Sequence, residues 1–155
     1  MAFSPISEVT DALAQLRQLL GTFDRSIAVG VVNNTDFTLN LTQSDGSSNF
    51  SSGGYQAGNL PSPSIDPQTA DVFGTTNTAP STGVVGAIHY TATDSDGNDA
   101  GVVIHLNFAD PFIGSDHYEQ SVDVIGNALA NFSVDVIGSV GNNSQVQYVV
   151  TATSV

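Results

Sequence analysis

Beyond Arg25 the apolar residues of this chain stop recurring every three or four positions and begin to alternate, in short runs broken by turn residues. The runs include SIAVGVVN, DFTLNLTQ, TADVFGT, TGVVGAIHYTAT, GVVIHLNF, SVDVIG, NFSVDVIGSV and QVQYVVTATS. Between them lie SDGSSNFSSGG, PSPSIDP, NTAPS and DSDGND, which supply the Gly, Pro, Asn and Asp chemistry of tight turns. Many short strands at this spacing predict an all-β chain, a β-sandwich of about 8–10 mainly antiparallel strands. No linker separates a second unit, so residues 1–155 read as a single domain with the sandwich over 25–155.

Ahead of Arg25 the period is helical. Ile6, Val9, Leu13, Leu16, Leu20 and Phe23 recur at alternating intervals of three and four, which gives one apolar stripe. Ser4 suits an N-cap, Pro5 the first helical position and Gly21 the stop, so an amphipathic helix is expected over 5–20, packed outside the sandwich. The stripe has two readings: a face packed on a sheet, or a detachable segment that enters a lipid interface. A helix of ~16 residues is ~24 Å long, enough to cross most of a hydrocarbon core.

Charge removes whole classes of partner. Arg17 and Arg25 are the two basic residues, lysine is absent, and the formal net charge is -13. Nothing is available to neutralise a row of phosphates, so nucleic acid is excluded as a partner. The same charge opposes anionic lipid, so a membrane partner would be neutral, zwitterionic or engaged through apolar groups. Self-repulsion favours a monomer or small oligomer in solution. With zero cysteines there is no disulfide, no thiolate nucleophile and no Cys-based metal site. The N-terminal stretch lacks a basic region ahead of an uninterrupted apolar run and does not read as a signal peptide.

One hairpin can be read in register. A turn centred on Asp96 and Gly97 in DSDGND sets His89 opposite His105. Val85, Ala87, His89 and Thr91 then share a face with Val103, His105 and Asn107. Val84, Ile88, Tyr90, Val102, Ile104, Leu106 and Phe108 form the core face. The two histidines lack an assignable third ligand, so no metal site is expected. Asp94, Asp96 and Asn98 imitate the first half of a calcium loop, but no Glu follows at its twelfth position, and a plain turn is expected. No G-x-S-x-G elbow selects a serine nucleophile, so the chain is not expected to be an enzyme or to carry a cofactor. Five N-x-S/T sequons begin at Asn33, Asn40, Asn49, Asn131 and Asn142, as an Asn- and Ser-rich composition produces by chance. The pentapeptide VDVIG occurs twice, at Val122–Gly126 and Val134–Gly138. Val122, Val124, Val134 and Val136 alternate with polar neighbours, as two successive half-buried strands require.

The segment RSIAVGVVNN directly after an amphipathic helix, followed by NFSSGG, LPSPSIDPQTADVF, TGVVGAIHYTA and DGNDAGVVIHLNF, resembles the actinoporins and actinoporin-like pore-forming cytolysins over most of residues 5–125. Fungal fruit-body lectins look like the same fold. The resemblance implies a sandwich that docks on a lipid head group by one end and releases its helix to line a homo-oligomeric pore. Carried over by position, it implies Ser52, Val85, His105, Asn107, Phe112 and Tyr118 as head-group contacts, and residues 5–20 as the inserting segment. ADPFIGSDHYEQ stands where the family keeps a tryptophan-rich loop, and NALAN where it keeps a second helix. Three readings stay open: a pore-forming protein released to act at target membranes, a lectin-like glycan-binding module, and a self-assembling structural subunit.

Overall fold

Strand β2 (Ser26–Asn34) is apolar on both faces and cannot tolerate solvent on either. Ile27, Val29 and Val31 enter one buried cluster, Ala28 and Val32 another. The structure, a computed structural model, describes residues 2–3, 6–42 and 49–155. In it β2 is the centre of a sheet in the order β1 (Ala2–Phe3), β7 (Thr69–Thr76), β2, β12 (Asn143–Thr153) and β11 (Asn131–Gly138), with β5 (Gly54–Tyr55) also on β7. The second sheet runs β10 (His117–Val124), β9 (Asp99–Asp110), β8 (Val84–Thr93), β3 (Thr38–Leu41) and β6 (Ser64–Ile65), with β4 (Phe50–Ser52) also on β8. Every pair among the described residues is antiparallel except β12 with β2. The expected all-β sandwich with a helix outside is the observed fold.

The sheets close on a core to which β2 and β12 contribute Val29, Val31 and Tyr148, and β8 and β9 contribute Ile88, Tyr90, Ile104 and Leu106. Each aliphatic side chain among these, fully buried, stabilises the fold by roughly 1.5–3 kcal/mol. Phe73 and Phe108 meet edge to face across the sheets, with centroids 6.2 Å apart. The Tyr148 hydroxyl donates to the Asn107 carbonyl and so ties β12 to β9.

Gly53 makes the corner between the sheets. The chain leaves β8 at Ser52 and joins β7 at Gly54, turning through Gly53 at φ +79. A Cβ there would lie 2.7 Å from the Thr76 carbonyl oxygen, so no other residue fits.

The helix is shorter than its sequence pattern. Helix α1 spans Val9–Leu19, between 3₁₀ turns at Ile6–Glu8 and Leu20–Thr22. Ser4 and Pro5 lie outside the described residues. Gly21 sits within the second turn instead of stopping α1. Val9, Leu13, Leu16 and Leu20 are buried on Ala28, Val32, Ala70 and Val72, and Ile6 is partly buried beside them. Phe23 breaks from the stripe: the backbone has become extended there (ψ 152), leaving its side chain exposed. Gly30 and Gly74 let the helix approach, Leu13 resting over one and Leu20 over the other. Arg17 Nε donates to the Asn143 carbonyl at 2.9 Å, and the Asn143 amide donates to the carbonyls of Leu20 and Phe23.

The second VDVIG copy lies on β11, whereas the first runs off the end of β10 after Val124; these edge strands belong to different sheets, and residues 125–130 join them without a helix. Val122, Val134 and Val136 turn inward as expected. Val124 does not: at the end of the edge strand β10 it is 63% exposed.

Candidate functional site

The hairpin register is as expected, with His89 paired to His105 and Ala87 to Asn107. Strand β10 extends each row, so that the outward face of the second sheet reads Val85–Ala109–His117, then Ala87–Asn107–Glu119, then His89–His105–Ser121. Alanines at the middle of the first row and the start of the second leave a depression. Asn49, Phe50 and Ser51 wall it on one side, His117 and Glu119 on the other, giving a cleft of about 460 Å³.

One row above, the imidazoles of His89 and His105 meet edge to face with centroids 4.5 Å apart, and His105 Nε2 lies 2.8 Å from Asp123 Oδ2. Partial burial, aided by the His105 charge, pushes the His89 pKa down. Among the described residues no three His, Asp or Glu side chains are grouped to hold a metal. The DSDGND segment is a hairpin turn with Gly97 at φ +82. The Asp94 carboxylate accepts from the backbone N–H of Asp96 at 3.0 Å and of Asn98 at 2.8 Å, and the bonds to Asn98 do most to hold its pKa low.

A second feature lies at the end of the sandwich where β9 passes into β10. Phe112 and Ile113 are exposed on the connecting loop, with Val140 exposed on the neighbouring loop between β11 and β12. Phe112 and Val140 border the same hollow of about 380 Å³. The loop is pressed onto Gly83, where a Cβ would lie 2.6 Å from the Asp110 carbonyl oxygen. Asp116 Oδ2 accepts from the Gly141 N–H at 2.8 Å and joins the two loops. Burial, then hydrogen bonding and repulsion from Asp116, push Asp110 up to about 7 against the opposing charge of Arg25.

These positions divide the six residues carried over from the resemblance. Val85 and Asn107 line the cleft together, and His105 lies one row outside it. Ser52 is displaced by the irregular register of β4: its hydroxyl donates to the Gly83 carbonyl at 3.0 Å, while Ser51 lines the cleft. Phe112 is exposed at the loop end. Tyr118 is not an exposed docking aromatic. Its ring lies against Gly138, and its hydroxyl donates to the Ser139 carbonyl and the Ser144 hydroxyl, each at 2.8 Å. Burial pushes its pKa up to about 12.

His117, Glu119, Ile113 and Val140 belong to these sites and were not singled out by sequence. The signal for the first two was present: alternation in HYEQSVDV puts His117, Glu119, Ser121 and Asp123 on one face. It is found only by starting the strand at His117 instead of Ser121.

No protein family and no curated protein matches the sequence. Among solved structures the chain is similar to the lipid binding protein Nakanori, with a TM-score of 0.71 over 92% of this chain and 80% of that one. Identity is 14%, so the likeness shows a shared fold.

Proposed function

We propose that the protein docks on a neutral or zwitterionic lipid surface through the loop end that carries Phe112, Ile113 and Val140. The observation that carries this reading is the exposure of Ile113 (87%) and Val140 (76%) on adjacent loop tips, beside a half-exposed Phe112. Large apolar side chains grouped on loop tips gain free energy by entering an interface, whereas in water they gain nothing. The net charge of -13 opposes anionic bilayers and favours phosphatidylcholine, sphingomyelin or sterol surfaces. The shared fold with a lipid-binding protein supports the same reading. In it the protein is a non-enzymatic, released protein acting at target membranes. Sedimentation with neutral vesicles tests it: the chain pellets with them, and failure to pellet with any mixture of these lipids refutes it.

The finer, actinoporin-like reading adds helix release and a homo-oligomeric pore. It is favoured by one observation: the cluster beneath α1 shares no buried residue with the inter-sheet core, so the helix can leave without opening the sandwich. Exposing Val9, Leu13, Leu16 and Leu20 costs on the order of 6–12 kcal/mol, which only an interface that re-buries the stripe offsets. No described helix is long and apolar enough to cross a membrane by itself, so insertion requires several copies or a thinned bilayer. The chain has no cysteine, so a single Leu19→Cys substitution at the exposed edge of α1 accepts one environment-sensitive dye. Helix entry gives a blue shift and quenching by brominated lipid, together with dye leakage. An unchanged spectrum on bound vesicles restricts the function to docking. Rings or filaments formed without lipid favour the self-assembling subunit instead.

A further inference from the structure

The cleft on the outward face of the second sheet differs in chemistry from the loop end. Its walls bring together the Glu119 carboxylate, the Asn107 amide, the Ser51 hydroxyl and the His117 imidazole around a small apolar floor at Val85 and Ala87. His117 Nδ1 lies 3.2 Å from the Ser115 carbonyl; with the proton there, Nε2 is an acceptor. No fixed positive charge can reach this cleft from its own walls. The chain has no lysine, Arg17 is bound to Asn143 beneath the helix, and Arg25 stacks on Phe112 at the loop end.

That set of groups discriminates between ligand classes. A phosphate would meet a carboxylate and no cation, an arrangement in which desolvation is not repaid. A quaternary ammonium would find one half-buried aromatic, Phe50, whose ring is packed against Tyr55 and Phe108, and no second ring to complete a cage, since Phe108 is buried under the floor. A hydroxyl-rich neutral ring fits: vicinal hydroxyls would donate to Glu119, His117 and the Ser51 hydroxyl, whose own proton points to the Val85 carbonyl at 3.5 Å, and accept from Asn107, while the C–H face of the ring would lie over Val85 and Ala87. We propose that this cleft binds the sugar ring of a neutral glycan, and that the protein therefore prefers membranes bearing neutral glycolipid. The preference rests on the membrane-docking reading: β10 begins directly after the docking loop, so a bilayer met by Phe112 and Ile113 brings its head groups towards His117.

The test uses the full chain and vesicles of phosphatidylcholine and cholesterol, with and without galactosylceramide. Glycolipid is expected to tighten binding roughly tenfold. Glu119→Ala and Asn107→Ala, both at exposed positions, are expected to remove that gain while leaving binding to the plain vesicles and the thermal midpoint unchanged. Equal binding to both vesicles, or a glycolipid gain that survives both substitutions, overturns the inference and leaves membrane docking intact. If the wild type binds neither vesicle, the docking reading fails instead. Free methyl galactoside then decides the inference alone by amide chemical shifts: movement at His117 and Glu119 supports the site, and no movement overturns it. Free phosphocholine in the same titration is expected to move neither residue, and equal shifts with it also overturn the proposal.

Discussion

Arg25 holds its Nε 3.8 Å from Asp110 Oδ1 at the foot of β9, where the carboxyl side chain is 2% exposed. Burial and the neighbouring Asp116 raise Asp110 from 3.8 to about 7, with Arg25 opposing them. Within this interval the folded protein holds a proton that the unfolded chain has released. The contribution of Asp110 to stability therefore falls as pH rises from about 4 to about 7 and levels off above, while the lowered pKa of His89 contributes in the opposite sense below about 6.5.

Asp110→Asn fixes the neutral form and is expected to flatten that slope. At pH 8 the variant should exceed the wild type by on the order of 1–2 kcal/mol, after allowance for solvent screening at the loop edge. Urea denaturation between pH 4 and 8 measures both. A difference between wild type and variant that stays constant across the interval would show that Asp110 is ionised throughout.

Two glycines, Gly53 between β4 and β5 and Gly30 within β2, should respond very differently. Gly53→Ala demands a left-handed conformation and drives its Cβ to 2.7 Å from the Thr76 oxygen, and is expected to cost about 2 kcal/mol or more. Gly30→Ala places a methyl at an ordinary 3.5 Å from Leu13 and is expected to change stability by no more than about 0.5 kcal/mol. Equal thermal shifts for the two would remove Gly53 from its role as the corner between the sheets.

Tyr118→Phe deletes the hydroxyl that bonds Ser139 and Ser144. The expected loss is about 1–2 kcal/mol of stability with vesicle binding unchanged. Weakened vesicle binding at full stability would return Tyr118 to the docking surface.

The legible parts of this fold are those set by local pattern. Alternation and an Asp-Gly turn suffice to pair His89 with His105, and the three- and four-residue spacing suffices to pick out Val9, Leu13, Leu16 and Leu20 as the buried stripe. Phe23 continues that spacing yet lies past the last helical turn, because periodicity does not record where hydrogen bonding ends. Non-local relations leave no comparable trace. The parallel pairing of β12 with β2, and the assignment of the two VDVIG copies to different sheets, depend on contacts between segments far apart in sequence. The cleft depends on both kinds of relation: Ala87 and Asn107 follow from the hairpin, whereas His117 and Glu119 join them only through the third strand. Ser52 was displaced by a one-residue irregularity in β4, a change that sends a side chain to the other face.

Ile113 is the most direct probe of the docking surface, since its side chain is 87% exposed and its removal disturbs no packing. Ile113→Asp, measured by sedimentation with vesicles of phosphatidylcholine, sphingomyelin and cholesterol, is expected to weaken binding at least about tenfold at an unchanged thermal midpoint. Binding as tight as that of the wild type would contradict the assignment of this loop end to the membrane.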